Sequence, residues 1–109
     1  MASAKKNIEF LKFANSCNKY QRKAIITGAN NSQIAALCEC ADNVLHSEIP
    51  LTVEQRNKLK RHKAVLRQLS DSSVSWRTKK KTLSQKGGSI PLFLGPALAF
   101  LATILSNGK

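Results

Sequence analysis

The stretch that decides the fold is SQIAALCECADNVLH, residues 32–46. Its apolar residues recur three and four positions apart, as on one face of an α-helix, and most of its polar residues fall on the opposite face. Ser32 is the predicted N-cap of this helix. The apolar stripe consists of Ile34, Leu37, Cys38, Ala41, Val44 and Leu45. This segment is the best-formed amphipathic helix in the sequence, and we expect it to seed the core.

The segment before it, residues 7–27, shows the same helical spacing and is the expected packing partner. Its apolar positions are Phe10, Phe13, Ala14, Cys17, Tyr20 and Ala24. Asn15, Ser16 and Asn18 weaken the middle of this segment, so the pattern fits either one helix or two short ones.

The three cysteines, Cys17, Cys38 and Cys40, form an odd set. Such a set does not suit a disulfide framework and predicts reduced thiols in a cytosolic or nuclear setting. No second pair of cysteines or histidines follows at zinc-finger spacing, so we expect no metal site, and Cys38 is interpreted as a small buried hydrophobe.

A basic segment, residues 52–86, follows Pro50 and carries 11 of the 18 Lys and Arg residues but only two acids. It thus contributes +9 of the net charge of +12. Thr52 and Gln55 form a capping-box pattern that predicts a helix start, and the periodicity predicts one helix to about Leu69. Its apolar face is formed by Leu59, His62, Leu66 and Leu69, with Val65 beside them. Ser73 is a predicted cap for a shorter helix that follows.

The cations of this segment predict binding to a polyanion, either nucleic acid or an anionic membrane surface, because a merely solvated face would mix both signs of charge. We expect contacts to DNA phosphates without reading of bases. Trp76 beside Arg77 could stack on a base, lie at a lipid interface, or cover the edge of the core. The candidate phosphate-binding residues are Arg56, Lys58, Lys60, Arg61, Lys63, Arg67, Arg77, Lys79, Lys80 and Lys81.

The C-terminal segment changes character: after Gly87 and Gly88, residues 90–105 carry no charge. As a helix they would span about 24 Å, less than the roughly 30 Å of a bilayer's hydrocarbon core, so a transmembrane anchor is marginal. Gly95 and Pro96 predict a kink or restart. The tail is therefore expected to close the core, insert partway into a membrane, or associate with tails of other copies. Its main apolar residues are Leu92, Phe93, Leu94, Leu98, Phe100, Leu101, Ile104 and Leu105.

These patterns predict an all-α fold of three to four short helices plus a C-terminal apolar helix. Three regions are expected: an N-terminal helical region (1–51), a basic helical region (52–86), and a Gly-Gly hinge with an apolar tail (87–109). The sequence has no nucleophile and base pattern, no phosphate-binding glycine loop, and only two histidines, His46 and His62. We therefore expect no enzymatic activity and no cofactor.

Several local runs resemble one family of small basic proteins. They are residues 38–45, 49–52, 59–63, 66–69, 79–81 and 85–91. The layout is similar to virion proteins of adintoviruses and the related Maverick (Polinton) elements, a family likened to the adenoviral core precursor X, the source of the mu peptide. The mu peptide is far richer in arginine than this chain.

The resemblance implies a virion protein that travels with packaged double-stranded DNA and has a hydrophobic C-terminus able to act on membranes. The expected location is the virion and the host nucleus or cytoplasm. Adenovirus-type cysteine proteases cut after Gly-Gly, so Gly87, Gly88 and Ser89 resemble a cleavage site, although Gln85 occupies a place where Met, Leu or Ile is commoner. A hinge between two helices explains the glycines equally without a protease.

Three functions remain open at this point. The leading one is a DNA-associated core protein. The second is a membrane-active protein whose apolar tail inserts while the basic helix holds anionic headgroups. The third is a host-directed module in which the N-terminal helices present an amphipathic surface to a partner.

Overall fold

A computed structural model describes residues 2–46 and 49–107, which are all-helical, without a strand in this described part. The helices are α1 (Ala2–Lys6), α2 (Ile8–Ser16), α3 (Lys19–Thr27), α4 (Asn31–Leu45), α5 (Val53–Lys60), α6 (Lys63–Ser70), α7 (Trp76–Gln85) and α8 (Ile90–Asn107). A 3₁₀ turn, Gly87–Ser89, joins α7 to α8. The all-α class and the C-terminal apolar helix are confirmed, but the prediction of three to four short helices plus that helix is too low.

The first extra helix arises from a break between α2 and α3. The Asn18 side chain accepts a hydrogen bond from the Gln21 backbone N–H at 2.9 Å, and the Gln21 side chain accepts one from the Asn18 N–H at 3.0 Å. This reciprocal capping box satisfies two amides that a helix start leaves without partners, and it fixes the new start at Lys19. Of the two alternatives for residues 7–27, the structure shows two helices.

A second break divides the helix predicted for residues 52–69. The capping box at its start is confirmed, because Thr52 and Gln55 exchange hydrogen bonds of 2.9 and 3.1 Å. The helix nevertheless ends at Lys60, and α6 begins at Lys63. The His62 N–H bonds to the Leu59 carbonyl, three residues back, which tightens the chain out of α-helical register. Leu59, Leu66 and Leu69 still face the core as predicted.

Two predicted caps are wrong. Asn30, not Ser32, caps α4, since Asn30 and Gln33 form another reciprocal capping box with distances of 2.9 and 3.0 Å. The Ser32 hydroxyl instead accepts a hydrogen bond from the Asn7 side chain at 3.0 Å. Helix α7 is capped by Ser75, whereas the Ser73 hydroxyl donates to the Asp71 carboxylate.

Helix α4 lies at the centre of the molecule and packs against α1, α6, α7 and α8. Because neighbours surround it on several sides, α4 buries more than one stripe. Its buried residues are Ile34, Ala36, Leu37, Cys38, Cys40, Ala41 and Val44. The segment that carried the strongest amphipathic pattern is thus the centre of the core.

Helix α8 is continuous from Ile90 to Asn107 with Pro96 inside it, so of the predicted kink or restart at Gly95-Pro96 the restart does not occur. A proline within a helix removes one backbone hydrogen bond. Phe93 and Leu94 before Pro96, and Ala97 and Leu101 after it, are all completely buried. Burial on both sides of the proline favours one helix and offsets the missing hydrogen bond.

The apolar tail packs internally against α2, α4 and α5. Leu92, Leu98, Phe100 and Ile104 are half-buried, and Leu105 is 48% exposed. Among the alternatives for this segment, the structure shows a helix that closes the core.

Candidate nucleic-acid interface

The ten candidate phosphate-binding residues lie on α5, α6, α7 and the link between α5 and α6. Lys79 and Lys80 are half-buried. The other eight are exposed: Arg56, Lys58, Lys60, Arg61, Lys63, Arg67, Arg77 and Lys81. Because α5 and α6 bury only three leucines, nearly every other side chain of these helices is free to face solvent.

Carboxylates neutralise little of this charge within the described residues. Lys58 is the one candidate that forms an ion pair there, with Glu54 one helical turn earlier at 3.4 Å. Both side chains are largely exposed, and exposed pairs of this kind contribute little to stability. The Ser73 hydroxyl and N–H donate to Asp71 and hold the pKa of that carboxyl below its usual range.

Three of the cations meet at one groove. Arg56 and Lys60 lie one turn apart on α5, and Lys63 begins α6. Together with apolar residues of α4, α5 and α6 they line an open cavity of about 210 Å³, which we call the central groove. Its apolar lining consists of Val44, Leu45, Leu51, Leu59 and Leu66. Arg67, one turn after Lys63 on α6, is not among the lining residues.

Lys58 and Arg61 line a separate, open depression with Val53, Glu54 and Asn57. The cations of α5 therefore divide between two sides of a short helix. A sequence-reading helix would concentrate its contacts on one face, so this arrangement favours contacts with a polyanionic backbone.

Trp76 lies close to two more of the candidate cations. The Arg77 guanidinium lies 5.0 Å and the Lys80 ammonium 5.7 Å from the centre of the Trp76 ring, within range of cation–π attraction. Lys80 also donates to the Ala29 carbonyl at 2.9 Å, which ties α7 to the turn between α3 and α4. Trp76 is half-buried against the core, so it occupies the core-edge position that was one of its three alternatives.

Arg22 is a buried cation to which the sequence analysis assigned no role. It is only 6% exposed, and its guanidinium donates to the carbonyls of Ala14 and Cys17 at 2.9 and 2.6 Å. These carbonyls lie at the end of α2, where the last helical turn lacks intrahelical donors. The only available signal was the helix break beside Cys17, which the periodicity alone did not locate.

Cys38 and Cys40 are buried thiols of low reactivity. Burial, in the main, raises the pKa of Cys38 to about 11 and that of Cys40 to about 12, so both are protonated at neutral pH. In the described residues no three His, Cys, Asp or Glu side chains lie close enough to hold a metal ion.

The Gly-Gly segment is not an extended hinge. Gly87–Ser89 forms a helical turn, Ser89 is 4% exposed, and its hydroxyl donates to the Lys86 carbonyl at 2.7 Å. A Cβ atom added to Gly87 or Gly88 would meet nothing within 4 Å, and neither glycine has a positive φ. The fold therefore does not require glycine at either position.

Residues 87–106 form a helical stretch long and apolar enough to cross a membrane, with about one third of it buried within the protein. The core helix of a soluble protein satisfies the same criterion, and α8 has such a buried face. Comparison with protein-family models, curated proteins and solved structures found no significant match for this chain.

Proposed function

We propose that this chain is a DNA-associated core protein of a virus or virus-derived element, which binds double-stranded DNA through phosphate contacts without sequence specificity. One observation carries the proposal: eight cations between Arg56 and Lys81 are exposed, and a single ion pair with a described carboxylate offsets them. Uncompensated charge of one sign, concentrated in about a third of the chain, is suited to a densely negative partner.

The spread of the cations supports contact with the DNA backbone. Each phosphate neutralised by Lys or Arg releases condensed counterions, so binding falls steeply as salt rises. If six to ten phosphates are contacted, affinity should fall by roughly 10³ to 10⁵ between low and moderate salt. Helices α5 and α6 have eight residues each, about 12 Å, which is short for a helix that reads bases along the major groove.

The test is salt-titrated binding of the full chain to two DNA duplexes of unrelated sequence. We expect equal affinities and a steep salt dependence. Changing Arg56, Lys60 and Lys63 to Gln should reduce the slope of log affinity against log salt by about three, one for each phosphate that is no longer neutralised.

A matched variant with Lys5, Lys6 and Lys12 changed to Gln removes the same charge from α1 and α2. It should change the slope much less. Equal reductions in the two variants, a sequence preference, or insensitivity to salt would each contradict the proposal.

The Gly87, Gly88 and Ser89 segment is proposed as a site for an adenovirus-type cysteine protease. Its support is the glycine pair that the fold does not require. Because the turn is helical and Ser89 is buried, cleavage needs local unwinding and should be slow in the folded chain. Changing both glycines to Ala should leave stability nearly unchanged and abolish cleavage by such a protease; cleavage elsewhere, or none in the original chain, would contradict the site.

A second candidate is membrane activity, favoured by the length and apolar character of residues 87–106. Insertion would expose the apolar face of α8 to lipid while the basic segment contacts anionic headgroups. Leakage of anionic vesicles should then fall when Leu105, the most exposed large apolar residue of α8, is changed to Lys. No leakage from the unmodified chain would eliminate this candidate.

A further inference from the structure

We propose that the central groove binds a single-chain anionic amphiphile, a free long-chain carboxylate. The alkyl chain would lie along the apolar lining, and the headgroup would be held by Arg56, Lys60 and Lys63. This inference does not depend on DNA binding.

The floor of the groove consists of core residues. Val44, Leu59 and Leu66 are 3%, 6% and 3% exposed, so they belong to the core and keep their positions when the groove is empty. Leu45 and Leu51 are half-buried and form its more accessible apolar walls. Filling this space would bury apolar surface without first ordering the protein, which favours binding.

The rim of the groove is cationic. Arg56, Lys60 and Lys63 line the cavity, and no carboxylate among the described residues lines it with them. A cationic headgroup would be repelled by this rim, and a neutral headgroup would form no ion pair with it.

An apolar cavity with a cationic rim favours an anionic amphiphile over DNA and over a peptide. A phosphate backbone makes no use of an apolar cavity. At about 210 Å³ the cavity is smaller than the roughly 300–1,000 Å³ of drug-sized ligand pockets, so it suits a narrow chain better than several bulky side chains of a bound helix.

The same three cations belong to the proposed DNA interface. If the chain also binds DNA, the carboxylate and the duplex compete for them, and each must weaken the other's binding by the same factor. This consequence rests on the proposed function, whereas binding in the groove does not.

The test is titration of the full chain with decanoate below its micellar concentration, monitored by methyl NMR and calorimetry. We expect one site per chain and shifts confined to the methyl groups that line the groove. Decanol and decyltrimethylammonium, which have the same chain with a neutral or cationic head, should bind at least about tenfold more weakly.

Variants separate this inference from DNA binding. Changing Arg56, Lys60 and Lys63 to Gln should weaken decanoate binding at least about tenfold. Changing Arg67, Arg77 and Lys81 to Gln removes the same charge outside the groove and should leave decanoate binding unchanged while weakening DNA binding. Leu51→Trp, which fills the groove without altering charge, should block decanoate and spare DNA.

Several results would overturn the inference. They are decanoate affinity equal in all three variants, binding of decanol as tight as that of decanoate, or methyl shifts spread over the whole core. Binding of an acidic amphipathic peptide in the groove without binding of decanoate would also overturn it. Because the methyl shifts are measured on the unmodified chain, the inference remains testable if Leu51→Trp fails to fold.

Discussion

Two parts of the molecule differ in what they contribute: one supplies the core and the other the exposed charge. The frame, residues 2–46 together with α8, supplies most of the buried apolar side chains. The basic segment, residues 52–86, buries only Leu59, Leu66, Leu69 and Leu83 and carries most of the exposed charge. The difference teaches that stability and the proposed polyanion binding depend on different residues, so mutations should separate them.

The largest effect should come from the frame. Phe93→Ala removes a completely buried aromatic side chain from α8 and should lower the free energy of unfolding by about 3–5 kcal/mol. Many small domains have only about 5–15 kcal/mol in total. Urea unfolding followed by circular dichroism measures the change. The half-buried Leu98→Ala is the control and should cost clearly less; equal costs would mean that α8 does not close the core as described.

Arg22 tests the difference between a cation of the frame and one of the basic segment. Arg22→Met keeps most of the side-chain length but leaves the buried carbonyls of Ala14 and Cys17 without a donor. We expect a loss of about 2–3 kcal/mol in the free energy of unfolding, because both partners were bonded to a charged donor. Arg67→Met, at an exposed position of α6, is the matched control. A loss of similar size for Arg67→Met would show that the buried and the exposed arginine contribute equally to stability.

The pH dependence of the free energy of unfolding tests whether Cys38 and Cys40 of α4 are buried as described. The pKa values of Cys38 and Cys40 are raised by burial from 9.0 to about 11 and about 12 in the folded chain. The folded state thus holds these protons more tightly, and the stabilisation is complete below pH 9 and is lost as pH rises towards 11 or 12. At pH 10 we expect a loss of about 2–3 kcal/mol relative to pH 8, a little over about 1 kcal/mol for each thiol.

Changing both Cys38 and Cys40 to Ala provides the control for that experiment. The double variant will be less stable at every pH because its core is less well packed, but its additional loss between pH 8 and 10 should be smaller. An identical pH dependence in both proteins would show that the thiols are not responsible.

The smallest effect on folding should come from the basic segment. Changing Arg56, Lys60 and Lys63 to Gln should alter the free energy of unfolding by at most about 0.5 kcal/mol per site, because exposed side chains away from caps and ion pairs contribute little. At low salt the three substitutions should be slightly stabilising, since they relieve repulsion among the cations of the basic segment. Thermal unfolding at two salt concentrations measures this. A large destabilisation would show that binding and stability are not separable.

Much of the fold follows from residue spacing. The residues of α4, the core face of α5 and α6, and the apolar character of α8 were predictable because burial selects apolar side chains at helical intervals. Helix ends were less predictable. Asn18 and Asn30, each followed three residues later by Gln, set two starts that apolar periodicity does not register.

The candidate site was predictable as a composition but not as a shape. Excess charge indicated which residues would be exposed, yet the groove depends on how α5 and α6 turn at Arg61 and His62 relative to α4. That turn reflects three-dimensional packing, and spacing along one helix does not encode it. Arg22 was missed for a related reason, since its partners are carbonyls and carry no side-chain signature.

The helical turn at Gly87–Ser89 has a consequence for a severed chain. If the backbone were cut after Gly88, the C-terminal fragment would still contact the rest of the protein through the buried side chains of Phe93, Leu94 and Leu101. The two pieces would then stay together without a covalent bond, and separately produced fragments would reassemble. Fusing a split fluorescent reporter to such halves would turn this small bundle into a self-complementing pair.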